Sequence, residues 1–203
     1  MASIYDAKAQ FQNFLRPLSN RLVSLGVTAN QVTILACALS AFYGLGLWLG
    51  DTPQWMLIAL PAFQFIRMAM NAIDGMLARE HGQKSPLGAL LNELTDVIAD
   101  VALYLPLALM PGMPAALIVG VVLIGVISEF AGVAALSVGS GRRYDGPFGK
   151  SDRAFFFGAL ALALGLGLAP GQWTNIVFFI AIAASILTIL NRIRSALKEV
   201  SHG

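Results

Sequence analysis

Long apolar blocks alternate with short polar breaks along the whole chain. The first block differs from the rest. Over residues 4–25, Phe11, Phe14, Leu15, Leu18, Leu22 and Leu25 recur at helical spacing, while Lys8, Arg16 and Arg21 fall elsewhere. That pattern predicts an amphipathic helix lying in a membrane interface, with a bend at Pro17. Thr28 then stands as an N-cap before an apolar run reaching about residue 50. Further runs cover about 54–72, with a polar extension to Arg79, then 87–110, 115–138, 154–168 and 173–190. Each is close to the ~20 residues a membrane-spanning helix needs, except the fifth, which is short enough to begin inside the loop before it. The breaks carry turn chemistry: Asp51-Thr52-Pro53, His81 to Pro86 with Gly82, Pro111-Gly112-Met113-Pro114, and Ala169-Pro170-Gly171. The expected fold is an all-α membrane protein of six transmembrane helices plus an N-terminal interfacial helix. Residues 1–25 form the interfacial helix, 26–194 the transmembrane domain, and 195–203 a polar tail.

Composition agrees. Of the 203 residues, 57% are hydrophobic and only 12% charged, against about 25% charged in soluble domains. The net charge of +2 gives no reason to expect a nucleic-acid partner. Cys37, the single cysteine, excludes an internal disulfide framework and a multi-cysteine metal site. The first 25 residues lack the charged and apolar regions of a cleavable signal peptide. With six spans, 12 of the 13 lysines and arginines fall on the side of both termini, and the remaining one, Arg67, lies within the second span. The positive-inside rule then makes the termini cytoplasmic. Trp48, Trp55 and Trp173 fall at the opposite interface, as an aromatic belt would.

One stretch breaks the apolar pattern: residues 71–100 carry Asp74, Arg79, Asn92, Glu93, Asp96 and Asp100. Charges at membrane depth are costly and call for a function or a partner. Arg67, Asn71, Asp74 and Ala78 share one helical face, and Asn92, Asp96 and Asp100 share another. A short turn makes these helices antiparallel neighbours, so both faces can converge near the cytoplasmic ends. Three carboxylates meeting there need neutralising. A hard divalent cation (Mg²⁺, Mn²⁺ or Ca²⁺) on oxygen ligands would do it, and so would salt bridges to Arg67, Arg79 and Lys84. The clustering, with Gly75, Ala78, Gly88 and Ala89 alongside, favours the cation. Those small residues also suit close approach of a ligand or tight helix packing.

A second constellation is the Gly-rich basic loop 139–153, with Arg142, Arg143, Lys150 and Arg153. It reads either as an anion pocket for an acceptor or donor phosphate or as positive-inside charge beside lipid headgroups. Glu129, with Ser128 beside it mid-run in the fourth span, reads as a structural hydrogen bond across helices, ahead of a dimer contact or a ligand path. Tyr104 reads as packing, His81 as a solvated turn residue, and His202 as a tail residue with no role.

The spacing Asn71-x2-Asp74-Gly75-x2-Ala78-Arg79-x8-Gly88-x3-Asn92-x3-Asp96 resembles the D-x2-D-G-x2-A-R-x8-G-x3-D-x3-D signature of the CDP-alcohol phosphatidyltransferases. Every interval matches, and asparagine replaces the first and third aspartates. Thr28, Asn30 and Thr33 also resemble the family's opening of the first span, and the chain is similar to a bacterial inner-membrane branch. The resemblance implies transfer of a phosphatidyl group from CDP-diacylglycerol to a hydroxyl acceptor, a polyol or phosphorylated polyol, with release of CMP. Two alternatives are transfer from a CDP-alcohol to diacylglycerol, and a non-enzymatic lipid- or nucleotide-binding protein or small transporter. It further implies Asp96 as catalytic base, with Asp100 as substitute. Asn71, Asp74, Asn92, Asp96 and Asp100 would be ligands of one or two Mg²⁺ or Mn²⁺ ions. Asp74, Gly75, Ala78, Arg79 and Gly88, with Asn30 and Thr33, would form the nucleotide site. Arg142, Arg143, Lys150 and Arg153 would hold the acceptor or its phosphate. A homodimer in the bacterial inner membrane, with its site open to the cytoplasm, completes the expectation.

Overall fold

The structure, a computed structural model, describes residues 4–49 and 53–202. The regular structure among these residues is all helical, with no strand: α1 Ile4–Ser24, α2 Ala29–Trp48, α3 Gln54–Glu80, α4 Pro86–Tyr104, α5 Ala115–Ala134, α6 Lys150–Gly165 and α7 Gln172–His202. Two 3-10 segments, Leu105–Leu109 and Ala135–Val138, extend α4 and α5. Of the turn expected at Asp51-Thr52-Pro53, only Pro53 is described, and the side chains of Lys8 and His202 lie outside the described set.

The local signals explain most boundaries. Thr28 caps α2 reciprocally: its Oγ1 accepts from the Gln31 N–H at 3.3 Å, and Gln31 Oε1 accepts from the Thr28 N–H at 2.9 Å. Ser85 Oγ accepts from the Gly88 N–H at 3.0 Å, with Pro86 in the first position of α4. Gly82 turns the chain between α3 and α4 with φ +69°. α6 begins at Lys150, inside the basic loop, as its short apolar run suggested.

One expectation is corrected. The third apolar run is not one α-helix to residue 110, because α4 stops at Tyr104. Pro106 has no N–H for the carbonyl of Ala102, and Gly44 of α2 lies directly against that carbonyl, where a Cβ would clash. The last helix runs on past its apolar segment. α7 continues unbroken to His202, and Arg192 in that stretch is 1% exposed. Thr174, Phe178, Ala181, Ser185, Thr188, Arg192 and Ala196 form one buried stripe along α7, at the 3.6-residue period of a packed helix face.

Four helical segments are long and apolar enough to cross a membrane: Ala29–Trp48, Gln54–Glu80, Ala115–Val138 and Gln172–Ser201. Their outer faces are apolar and exposed: Phe42 is 77% exposed and Phe130 70%. Such surfaces are stable against lipid rather than water. This is an all-helical, multi-pass membrane protein.

The chain forms two compact units. The first takes in α1, α2 as far as Phe42, α3 from Ala62 and α4 as far as Ala99. Its core is Leu15, Ala29, Val32, Ile73, Met76 and Leu77. Here α1 divides its apolar residues. Leu15 is buried in that core and Phe11 and Leu22 pack on it, whereas Phe14, Leu18 and Leu25 stay exposed. Arg16 ties α1 to the end of α3 through Glu80 at 3.0 Å. The second unit takes in the remainder. Its centre is aromatic: Tyr104 stacks on Phe157 at 4.1 Å between centroids, and Phe156 and Phe178 meet edge-on at 5.4 Å. Tyr104 is therefore packing, as its position suggested.

Candidate active site

In the first unit, α3 and α4 bring the signature residues together. Asn71 Nδ2 donates to Asp96 Oδ1 at 2.9 Å. Thr33, on α2, donates its hydroxyl to Asp74 Oδ2 at 2.7 Å. Arg67, 5% exposed, donates from Nη2 to the Asp96 carbonyl at 3.0 Å and lies 3.7 Å from its carboxylate. Asp74 is buried and Asp96 half-buried. With its amide nitrogen donating to Asp96, Asn71 keeps its carbonyl oxygen as an acceptor, on the same face of α3 as Asp74 by helical spacing.

The small residues of the signature are closely overlaid. A Cβ at Gly75 would come within 2.8 Å of the Arg79 guanidinium, and one at Gly88 within 2.8 Å of Asn30 Oδ1. Glycine at these places lets Arg79 and Asn30 lie across the backbone of α3 and α4. Ala78 faces inward, packed on the core, while Arg79 and Asn92 are exposed.

Asp74 and Asp96 belong to this unit, and Asp100 to the second. Among the described residues, no three His, Cys, Asp or Glu side chains gather as a ligand set. Each of two carboxylates has an arginine beside it: Arg67 by Asp96 at 3.7 Å, and Arg153 by Asp100 at 3.1 Å.

Asp100 and the basic loop belong to the second unit. There Glu129, 6% exposed on α5, collects three guanidinium groups. Arg142 Nη2 donates to its Oε2 at 2.9 Å and Arg153 Nη2 to its Oε1 at 3.0 Å, while Arg192 Nη1 lies 3.4 Å from Oε2. Glu129 thus carries far more than the hydrogen bond its sequence position suggested. Arg192 escaped the sequence reading, although its place on the buried stripe of α7 was a usable signal. Arg143 turns outward, bidentate to Asp145 at 2.8 and 2.9 Å and to Glu199 at 2.7 Å. That guanidinium holds the Asp145 carboxyl below its ordinary range. Lys150 is half-buried in the first turn of α6, where the Asp152 carboxylate accepts from the Gly149 N–H at 2.9 Å.

The residues from 26 to 190 match the family model described as CDP-alcohol phosphatidyltransferase. The chain belongs to that family. It is 45% identical over 195 residues to the inner membrane protein YnbA of Escherichia coli K12, covering 96% of each chain. It is 24% identical to the phosphatidylinositol phosphate synthase of Mycolicibacterium smegmatis, covering 96% of this chain and 89% of that one. Among solved structures, its fold is similar to that of Mycobacterium tuberculosis phosphatidylinositol phosphate synthase. The form in complex with manganese and citrate gives a TM-score of 0.71 at 23% identity, over 89% of this chain and 88% of that one. The form with CDP-DAG bound gives 0.70, covering 89% and 92%. This family member keeps all the signature intervals, with Asn71 and Asn92 in place of two carboxylates.

Proposed function

We propose that this protein transfers a phosphatidyl group from CDP-diacylglycerol to a hydroxyl acceptor and releases CMP. The observation that carries this is the coupling of Asp74 to Thr33 and of Asp96 to Asn71, within a signature whose glycines are overlaid by Arg79 and Asn30. The acceptor oxygen forms a bond to the phosphorus that carries the diacylglycerol. The bond from that phosphorus to the bridging oxygen of CMP breaks, and CMP leaves with the electron pair. Asp96 takes the hydroxyl proton. Arg79 lies over Gly75, where it can neutralise the diphosphate, and Gly88 with Asn30 borders the nucleotide.

The donor atoms at Asp74, Asp96 and the Asn71 carbonyl are all hard oxygens, which suits Mg²⁺ or Mn²⁺. When bound, such an ion would polarise the phosphoryl oxygens and neutralise the leaving CMP. The manganese-bound relative supports that assignment. Asn92, exposed on the same face of α4 as Asp96, is available as a further carbonyl ligand. Asp100 serves here as the partner of Arg153 rather than as a second base.

In the membrane, α4 and α6 complete six spans with the four apolar segments. α4 carries Asp96 and Asp100, and the 16 residues of α6 extend for about 24 Å. The transmembrane domain covers residues 26–194, with residues 1–25 as the interfacial helix and 195–203 as the cytoplasmic end of α7. Both termini and the active site face the cytoplasm of the bacterial inner membrane, and the protein works as a homodimer.

The deciding experiment measures CMP release from CDP-diacylglycerol by the purified protein in lipid nanodiscs with Mn²⁺ and a polyol panel. We expect metal-dependent CMP release, reduced at least ~100-fold in Asp96→Asn, in protein that circular dichroism shows to keep its helical fold. Full activity in that variant would remove Asp96 as the base, and no CMP with any acceptor would refute the transferase reading.

A further inference from the structure

Arginines on the basic loop and α6 are the groups expected to hold an acceptor phosphate, yet two of them, Arg142 and Arg153, are already held from inside the protein. Glu129 Oε2 accepts from Arg142 at 2.9 Å, and its Oε1 from Arg153 at 3.0 Å and from Arg192 at 3.4 Å. Arg192 is fixed in turn by its Nη1 donating to the Ser128 carbonyl. Arg153 also takes Asp100 at 3.1 Å. The arrangement is built into α5. Gly125, Ser128, Glu129 and Gly132 share one face of that helix. A Cβ at Gly125 would lie 3.1 Å from Arg153 Cδ, and one at Gly132 would sit on the Arg142 guanidinium and the Arg143 carbonyl. The glycines thus open a trough in which the guanidinium groups converge on one carboxylate.

We propose that Glu129 is a built-in counter-anion, standing among Arg142, Arg153 and Arg192 where a phosphate ester would otherwise bind, so that the acceptor of this transferase is an uncharged polyhydroxy compound. The inference rests on the transferase reading and specifies its substrate class. Three guanidinium groups against the carboxylates of Glu129 and Asp100 leave one positive charge. A phosphate monoester, at nearly two negative charges, would over-neutralise the cluster and press against a carboxylate that the chain cannot remove. Two buried donors, Arg153 Nη1 and Arg192 Nε, have no acceptor among the described residues. Neutral hydroxyl oxygens satisfy such donors without adding charge. Glu129 is a specificity-determining residue here, acting through the arginines it holds.

The test compares acceptors with the full chain in nanodiscs, supplied with CDP-diacylglycerol and Mn²⁺. Glycerol and myo-inositol are set against glycerol 3-phosphate and inositol 1-phosphate, and CMP is read out. The wild type is expected to favour the unphosphorylated acceptors by at least about tenfold in kcat/KM. Glu129→Gln is expected to narrow or invert that ratio, chiefly by lowering KM for the phosphorylated acceptors. Wild-type preference for phosphorylated acceptors, or an unchanged ratio in Glu129→Gln, overturns the proposal and leaves the transferase reading standing. If Glu129→Gln does not fold, competition in the wild type decides. Millimolar glycerol 3-phosphate should leave CMP release to glycerol unchanged, and strong competitive inhibition overturns the proposal. Absence of CMP with every acceptor is a different result, because it removes the transferase reading itself.

Discussion

At the residue scale, Asn71 sets this site apart. Its amide donates to Asp96, so the two side chains form a neutral-to-charged hydrogen bond where the family signature has two carboxylates. Asn71→Asp would place like charges at hydrogen-bond distance, a repulsion that a cation relieves. We expect this variant to melt below the wild type in EDTA and to gain more than the wild type from added Mn²⁺; equal metal-dependent shifts in a thermal scan would contradict that. Thr33 offers a second check on the same site. Thr33→Val removes the donor to the buried Asp74 and should cost about 1.5–3 kcal/mol, the range for hydrogen bonds to charged groups. Denaturant titration measures it, and a loss under half a kcal/mol would mean that the bond is replaced by solvent or by another donor.

At the element scale, close backbone approach and loop anchoring do the positioning. α2 touches α4 at Gly44, against the carbonyl that Pro106 leaves without its helical donor. Gly44→Ala adds a methyl group where no flexible side chain can yield, and overpacking of this kind costs about 1–3 kcal/mol; an unchanged melting temperature would show that the helices simply separate. The loop between the 3-10 segment after α5 and α6 is held by Arg143 to Asp145 and Glu199, and by the Phe148 N–H donating to Thr188 Oγ1 at 2.9 Å. Since the folded state lowers the Asp145 carboxyl, that contribution is present above the ordinary carboxylate range and is lost as pH falls through the lowered value. Limited proteolysis should therefore find the loop protected at neutral pH and progressively cut in acid by an acid-active protease. Asp145→Asn should weaken protection at neutral pH and flatten the dependence. A variant with the wild-type profile would show that Asp145 does not hold the loop.

At the scale of the whole molecule, charge asymmetry and apolar surface define how the protein sits in its bilayer. Single cysteines introduced near Gly82 and Gly146, in a Cys37→Ser background, should react with an impermeant maleimide only from the cytoplasmic side. Cysteines near Gly112 and Gly171 should react only from the opposite side. Mixed labelling at any of these positions would contradict the six-span arrangement. The apolar residues Leu87, Leu90, Leu94 and Ile98, all more than half exposed along α4, are the surface that the proposed six-span arrangement would turn to lipid.

Much of this was legible in the sequence because the signals are local. Apolar run lengths set the helices, Thr28 and Ser85-Pro86 set their starts, and the intervals from Asn71 to Asp96 fixed which faces meet. The sequence by itself therefore determined the helical membrane class and the signature residues. Tertiary structure alone decided the partners of the charges. Counting carboxylates suggested that Asp74, Asp96 and Asp100 meet. The fold sets Arg67 beside Asp96 and Arg153 beside Asp100, each within its own unit, and it draws Arg192, distant in sequence, to Glu129. A buried charge takes whichever opposite charge packing brings within reach, and that packing joins Arg192 to Glu129 across 63 positions, beyond what any periodic pattern along one helix records.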